Sequence, residues 1–119
     1  MSRRVGRSKV DCLSKEESEA LEKFTRGVRS LLGDNLLILK LFGSKVRGDF
    51  SDESDIDILL VVKEITSKLR DKIFDLLLDI DLEYDPRISL LILSEYEYQR
   101  NAEMGSPFIA GIERDGVSI

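Results

Sequence analysis

The 119-residue sequence predicts one small α/β (α+β) domain, a mixed sheet of three to four strands with helices packed on one face. Three observations carry that expectation. Two apolar runs, Leu36 to Phe42 and Ile56 to Val62, are joined by a stretch too short for a crossover helix, so they should pair antiparallel. Helical-period stripes flank this pair on either side. A third apolar run, Arg87 to Leu93, follows the second helix and is free to join the sheet parallel to the second strand.

Taken in order, residues 1–13 read as a flexible basic tail and residues 14–119 as the single domain. Ser14-Lys15-Glu16-Glu17 is a capping box that starts a helix. Ala20, Leu21, Phe24, Val28, Leu31 and Leu32 form its apolar stripe, and Gly33 with Asp34-Asn35 stops it and turns the chain. The two strands follow, linked by a polar loop, Gly48 to Ser54. Thr66 caps a second helix over about Ser67 to Leu82, with Leu69, Ile73, Leu76, Leu77 and Ile80 on its core face. Its other face carries Asp71, Asp75, Asp79, Asp81 and Glu83, a pattern of a solvated or partner-facing surface more than of a metal site. Asp85-Pro86 turns the chain into the third strand, and Ser94 with Glu97 caps the helix after it. Gly105-Ser106-Pro107 breaks that helix, a short helical turn carries Phe108, Ile109 and Ile112, and Val117 to Ile119 is an edge strand or a docked end.

Composition narrows the chemistry. No run is long and apolar enough to span a bilayer, and no signal-peptide pattern opens the chain. A single cysteine, Cys12, excludes an intramolecular disulfide and fits a reducing cytoplasm. There is no histidine, which removes His-activated nucleophiles and any metal site that needs imidazole. A metal here must be a hard cation on oxygen ligands. The net charge is −5, but Arg3, Arg4, Arg7 and Lys9 open the chain, so the remainder holds 14 basic against 23 acidic residues, a net −9. A body this acidic is a poor binder of duplex nucleic acid.

The segment from Leu41 to Val62 organises the rest. Gly43 ends the first strand and permits a positive φ or a close approach of phosphate to the backbone. Ser44 opens a short helical turn whose N–H groups suit an anion, and Arg47, three residues on, offers a guanidinium fork to phosphate oxygens. An ordinary βα turn with a capping serine would look the same. Asp55 and Asp57 add what that reading lacks. Residues two apart on a strand share a face, so both carboxylates point one way while Ile56 and Ile58 point into the core. Two adjacent carboxylates repel unless a cation lies between them, and Mg²⁺ prefers one or two carboxylates plus substrate phosphates. A phosphate-cradling turn, ten residues from Lys45 to Ser54, and Asp-x-Asp entering an apolar strand together read as a site for an NTP and a metal, expected on an open edge of the sheet.

Those residues resemble the nucleotidyltransferase superfamily typified by DNA polymerase beta, and most of all its minimal nucleotidyltransferases. Their core reads Gly-Ser-x-Ala-Arg-Gly and then Ser-Asp-Ile-Asp. Gly43, Ser44, Arg47, Gly48, Ser54, Asp55, Ile56 and Asp57 match, with Val46 in place of the small alanine. The likeness extends loosely over Leu21 to Ile119. It implies the small nucleotidyltransferase fold, Asp55 and Asp57 as catalytic metal ligands for Mg²⁺, and Gly43 and Ser44 gripping the phosphates of an NTP such as ATP, with Arg47 assisting. It also implies a HEPN-domain protein as partner, this chain being the antitoxin of a toxin–antitoxin pair.

Two functions of different class follow. One is Mg²⁺-dependent transfer of a nucleoside monophosphate to a hydroxyl on a partner protein or other acceptor. The other is a catalytically weak nucleotide-binding antitoxin that acts by holding its partner. The superfamily commonly carries a third carboxylate on the neighbouring strand; Arg87 to Leu93 has no acid, and Ser89 stands where one is expected. A bare α/β domain with no ligand is the plain alternative to both.

Overall fold

A computed structural model describes residues 13–47 and 55–119, the side chains of Ser44 and Arg47 excepted. The tail 1–12, Cys12 included, and the loop 48–54 lie outside the described residues.

Helix α1, Lys15–Leu32, begins at the expected capping box. The Glu17 N–H donates to Ser14 Oγ at 3.0 Å, and the Ser14 N–H donates to Glu17 Oε1 at 2.9 Å. Its stripe Ala20, Leu21, Phe24, Val28 and Leu32 is buried. A 3-10 turn, Gly33–Asn35, leads into β1, Leu36–Phe42, and then a single helical turn, α2, Ser44–Arg47. Strand β2, Ile56–Val62, runs antiparallel to β1, as the short connection requires. Thr66 caps α3, Ser67–Tyr84, by accepting from the Leu69 N–H at 3.0 Å. Strand β3, Ile88–Ser94, lies parallel to β2. It starts one residue later than the sequence suggests because Arg87 adopts a positive φ of 56°, outside the strand region. Helix α4, Glu95–Glu103, carries the second capping box, Ser94 with Glu97. Helix α5, Pro107–Asp115, and the two-residue strand β4, Val117–Ser118, finish the chain. The four-stranded mixed sheet has the order β3-β2-β1-β4, with β4 antiparallel to β1. Among the described residues no helix is long and apolar enough to cross a membrane.

The packing explains the order. Ile56, Ile58, Leu60 and Val62 of β2 meet Leu39 and Leu41 of β1, and α1 and α3 cover that face. Each fully buried Leu, Ile or Val of this kind contributes about 1.5–3 kcal/mol relative to an exposed one. The two long helices meet where Gly27 of α1 leaves room for Leu76; a Cβ at position 27 would lie 2.7 Å from Leu76 Cδ2.

Two expectations need correction. Helices do not cover one face alone: Ile112 of α5 packs with Leu59 and Val61, and Tyr98 of α4 joins them with Ile38, Phe42, Leu91 and Leu93. The reason is in β2 itself. After Asp57 its residues are apolar on both faces, so both must be covered. Nor does the candidate site lie on an open edge of the sheet, because Asp57 stands on β2, an interior strand.

Candidate functional site

The site grows from the junction of β1 and β2. Phe42 pairs with Asp57 in the antiparallel register, and Asp57 pairs with Ser89 in the parallel one. Directly paired residues share a face, so Phe42, Asp57 and Ser89 form a row across the sheet on the α4–α5 side. The side chains of β3 alternate: Ile88, Leu90 and Ile92 join the α1–α3 core, and Leu91 and Leu93 the opposite cluster.

Gly43 is fixed by two independent demands. Its φ is +83°, which L side chains rarely adopt. The space a side chain would need is also taken: a Cβ there would lie 2.1 Å from Asp57 Oδ2 and 3.0 Å from Asp57 Cγ. The half-buried Asp57 carboxylate therefore lies against the Gly43 backbone, at the point where β1 gives way to α2. The Val46 N–H donates to the Gly43 carbonyl at 3.1 Å and closes the α2 turn onto it.

Of the residues singled out from sequence, Gly43 and Asp57 are thus brought together. Asp55 immediately precedes β2 and is exposed. Ser44 and Arg47 are the first and last residues of α2, but their side chains lie outside the described residues. The Ile56 N–H donates to the Arg87 carbonyl at 3.0 Å, which locks the start of β2 against the start of β3.

Sequence reasoning missed Lys45. Its side chain is only 2% exposed, and its Nζ lies 3.3 Å from Glu17 Oε2. Glu17 therefore does two jobs, capping α1 and pairing with a buried ammonium on α2. A buried charge survives only with such partners. The pair anchors the Gly-Ser turn to the first turn of α1, and no local pattern marks a lysine that turns inward on one helical turn.

A cleft of about 540 Å³ opens beside this row, lined by Phe42, Gly43 and Asp57 from the sheet and by Pro107, Phe108, Gly111, Ile112, Arg114 and Asp115 from α5. That volume suits a small organic ligand. Of the acids just before β3, Glu83 binds Lys23, and Asp85 ends α3 through its backbone N–H, which donates to the Asp81 carbonyl at 2.9 Å. Asp115 instead shares the cleft with Asp57. Arg114 grips it through Nε at 3.2 Å and Nη2 at 3.0 Å, and those hydrogen bonds, then the carboxylate charge, raise the Arg114 pKa. Asp115 could not be found from sequence, because only the return of α5 across the sheet brings it near Asp57.

The donor set fits a hard divalent cation that relies on its substrate. Among the described residues no group of three or more His, Cys, Asp or Glu side chains could hold a metal. Asp57 at the cleft and Asp55 just before the strand supply oxygens only, so an ion held there must complete its shell with water and ligand oxygens, as Mg²⁺ does.

The chain is similar to several known proteins. The profile of a nucleotidyltransferase domain matches residues 21–106. Two Methanocaldococcus jannaschii proteins, each named "putative protein adenylyltransferase", are similar. One is 35% identical over 102 residues, covering 85% of this chain and 96% of its own. The other is 34% identical over 79 residues, covering 66% of this chain and 75% of its own. A Sulfolobus solfataricus crystal structure, described as "a putative nucleotidyltransferase", aligns at 24% identity with a TM-score of 0.44, over 89% of this chain and 87% of that one.

Proposed function

The chain belongs to the nucleotidyltransferase domain family, and from that membership we propose that it transfers AMP from ATP to a hydroxyl on a partner protein. In this reaction the hydroxyl oxygen bonds to the α-phosphorus, the bond from that phosphorus to the bridging oxygen breaks, pyrophosphate departs, and the hydroxyl proton passes to water or a nearby base. The observation that carries the reading is the contact between Gly43 and the Asp57 carboxylate at the mouth of the cleft.

The residues take these roles. Gly43 and Ser44 hold the phosphates through the backbone of the turn, and Arg47 assists them. Asp57, with Asp55, would hold Mg²⁺. Such an ion, when bound, neutralises the triphosphate and the charge that develops on its leaving oxygens. The Glu17–Lys45 pair keeps the turn in register with β2. The acceptor comes from outside, and a HEPN-domain protein, with this chain as its antitoxin, is the partner we propose.

A second reading is favoured by Ser89. It pairs directly with Asp57, at the position where the superfamily commonly has its third acid. A serine neither takes a proton at neutral pH nor adds charge for a second cation. The isolated chain should then bind nucleotide and transfer it slowly, acting as an antitoxin chiefly by binding.

Labelled-ATP incorporation into a HEPN-domain candidate separates the two. Wild-type transfer should need Mg²⁺ and vanish in Asp57→Asn, and Ser89→Asp should speed it. Transfer that persists in Asp57→Asn would locate the chemistry elsewhere. Tight partner binding by every variant without transfer would favour the binding module.

A further inference from the structure

We infer that α5 forms the nucleobase wall of the cleft, with the heteroaromatic ring of the nucleotide seated over Gly111 and stacked on Phe108. This rests on the nucleotidyl-transfer reading and extends it to a part of the chain that the Gly-Ser and Asp-x-Asp motifs do not touch.

Phe108 is the first observation. Helix α5 is amphipathic and buries Ile109 and Ile112, yet Phe108 remains 52% exposed. An aromatic ring half open to water beside a polar cleft floor leaves apolar area that a flat ligand would cover. Its pose is held: the Phe108 ring meets Phe42 edge to face, with centroids 5.6 Å apart and planes at 88°. Phe42 in turn is the register partner of Asp57. The aromatic pair and the carboxylate are therefore tied to one level of the sheet.

Gly111 is the second. It lies three residues after Phe108, on the same side of the helix, and Arg114 lies three further on. Among the described residues a Cβ at position 111 would meet only Arg114 Nη2, at 3.9 Å, so none of them fills the place of a side chain. Glycine inside a helix is less stable than alanine. Among the described residues no contact of α5 requires it there. What it does is leave the cleft wall flat between an aromatic ring and a guanidinium, both of which stack on planar heterocycles. With Gly43 and Asp57 at the phosphate end, the cleft has one polar end and one flat aromatic wall, as a nucleotide has.

The test compares Mg²⁺–ATP with Mg²⁺–tripolyphosphate, which carries the phosphates without the base, by titration calorimetry on the full chain. Phe108→Ala should weaken ATP binding about tenfold or more and leave tripolyphosphate within about twofold, since base–aromatic stacking is lost and nothing else. Phe108→Tyr keeps the ring and should restore ATP binding. Gly111→Leu should act like Phe108→Ala, whereas Gly111→Ala should keep ATP binding and raise the thermal midpoint. Equal losses for both ligands in Phe108→Ala, or unchanged ATP binding in Phe108→Ala and Gly111→Leu together, would overturn the base wall. So would wild-type protein that binds tripolyphosphate as tightly as ATP, and that result leaves the phosphate site standing. Wild-type protein that binds neither would instead remove the nucleotidyl-transfer reading itself.

Discussion

Gly43 shows how much one residue can carry. Any side chain there faces a backbone at φ +83° and a carboxylate oxygen 2.1 Å from its Cβ. Gly43→Ala must therefore displace Asp57 or open the turn. The strain at a positive φ costs about 1–2 kcal/mol before the clash is counted. We expect a clear fall in the thermal midpoint together with loss of Mg²⁺–ATP binding. An alanine variant that keeps both would show that the contact with Asp57 is not needed. The sequence made Gly43 and Asp57 visible because each is marked by a local rule, a breaker after an apolar run and a carboxylate at strand period. Lys45 and Asp115 were not visible. A buried lysine follows no periodicity, and Asp115 reaches the cleft only after α4 and α5 have folded back. Ser89 is an intermediate case: its face was predictable from alternation, but its pairing with Asp57 depends on a parallel register that no local pattern fixes.

Among the elements, α4 and α5 are where the reading from sequence fell short. Their helical character was clear from caps and breakers, but not the face they cover. That face is settled by the second apolar side of β2, Leu59 and Val61, and the two helices are clasped over it by a hydrogen bond from the Tyr98 hydroxyl to Glu113 Oε2 at 2.8 Å. Burial, then the bond to Glu113 and its charge, push the Tyr98 pKa up to about 12 from its ordinary 10.0. A pKa raised on folding means that the folded chain holds the proton more tightly. This contribution is full below pH 10 and is lost as pH rises toward 12. Tyr98→Phe keeps the ring in the cluster and deletes the clasp. Denaturant unfolding at pH 8 should show a loss of about 0.5–1.5 kcal/mol, and the wild-type and variant curves should converge by pH 12. Parallel curves across that range would mean that the clasp contributes nothing.

At the scale of the whole molecule, the sheet separates two surfaces. Asp57, Ser89 and the cleft lie on the α4–α5 side, while α3 packs on the other. On its outer face α3 exposes Phe74, Leu78 and Leu82, at helical spacing, with Asp71, Asp75 and Asp79 beside them. An apolar stripe edged with acids suits a protein partner with an apolar centre and a basic rim, and such a partner should associate faster at low salt. A partner seated there is about 20 Å, a helix diameter and one layer spacing, from the cleft side of the sheet. An acceptor hydroxyl on that partner must then come around the sheet on an extended segment of at least about six residues. Partner binding and nucleotide binding should therefore be separable. With a HEPN-domain candidate, Leu78→Lys should weaken association at least about tenfold, flatten its salt dependence and leave Mg²⁺–ATP affinity unchanged. Gly111→Leu should do the reverse. Shortening the partner's acceptor segment should stop AMP transfer without loosening the complex. If Leu78→Lys left the complex intact while Gly111→Leu broke it, the partner would be seated over the cleft itself, and the acceptor would need no such reach.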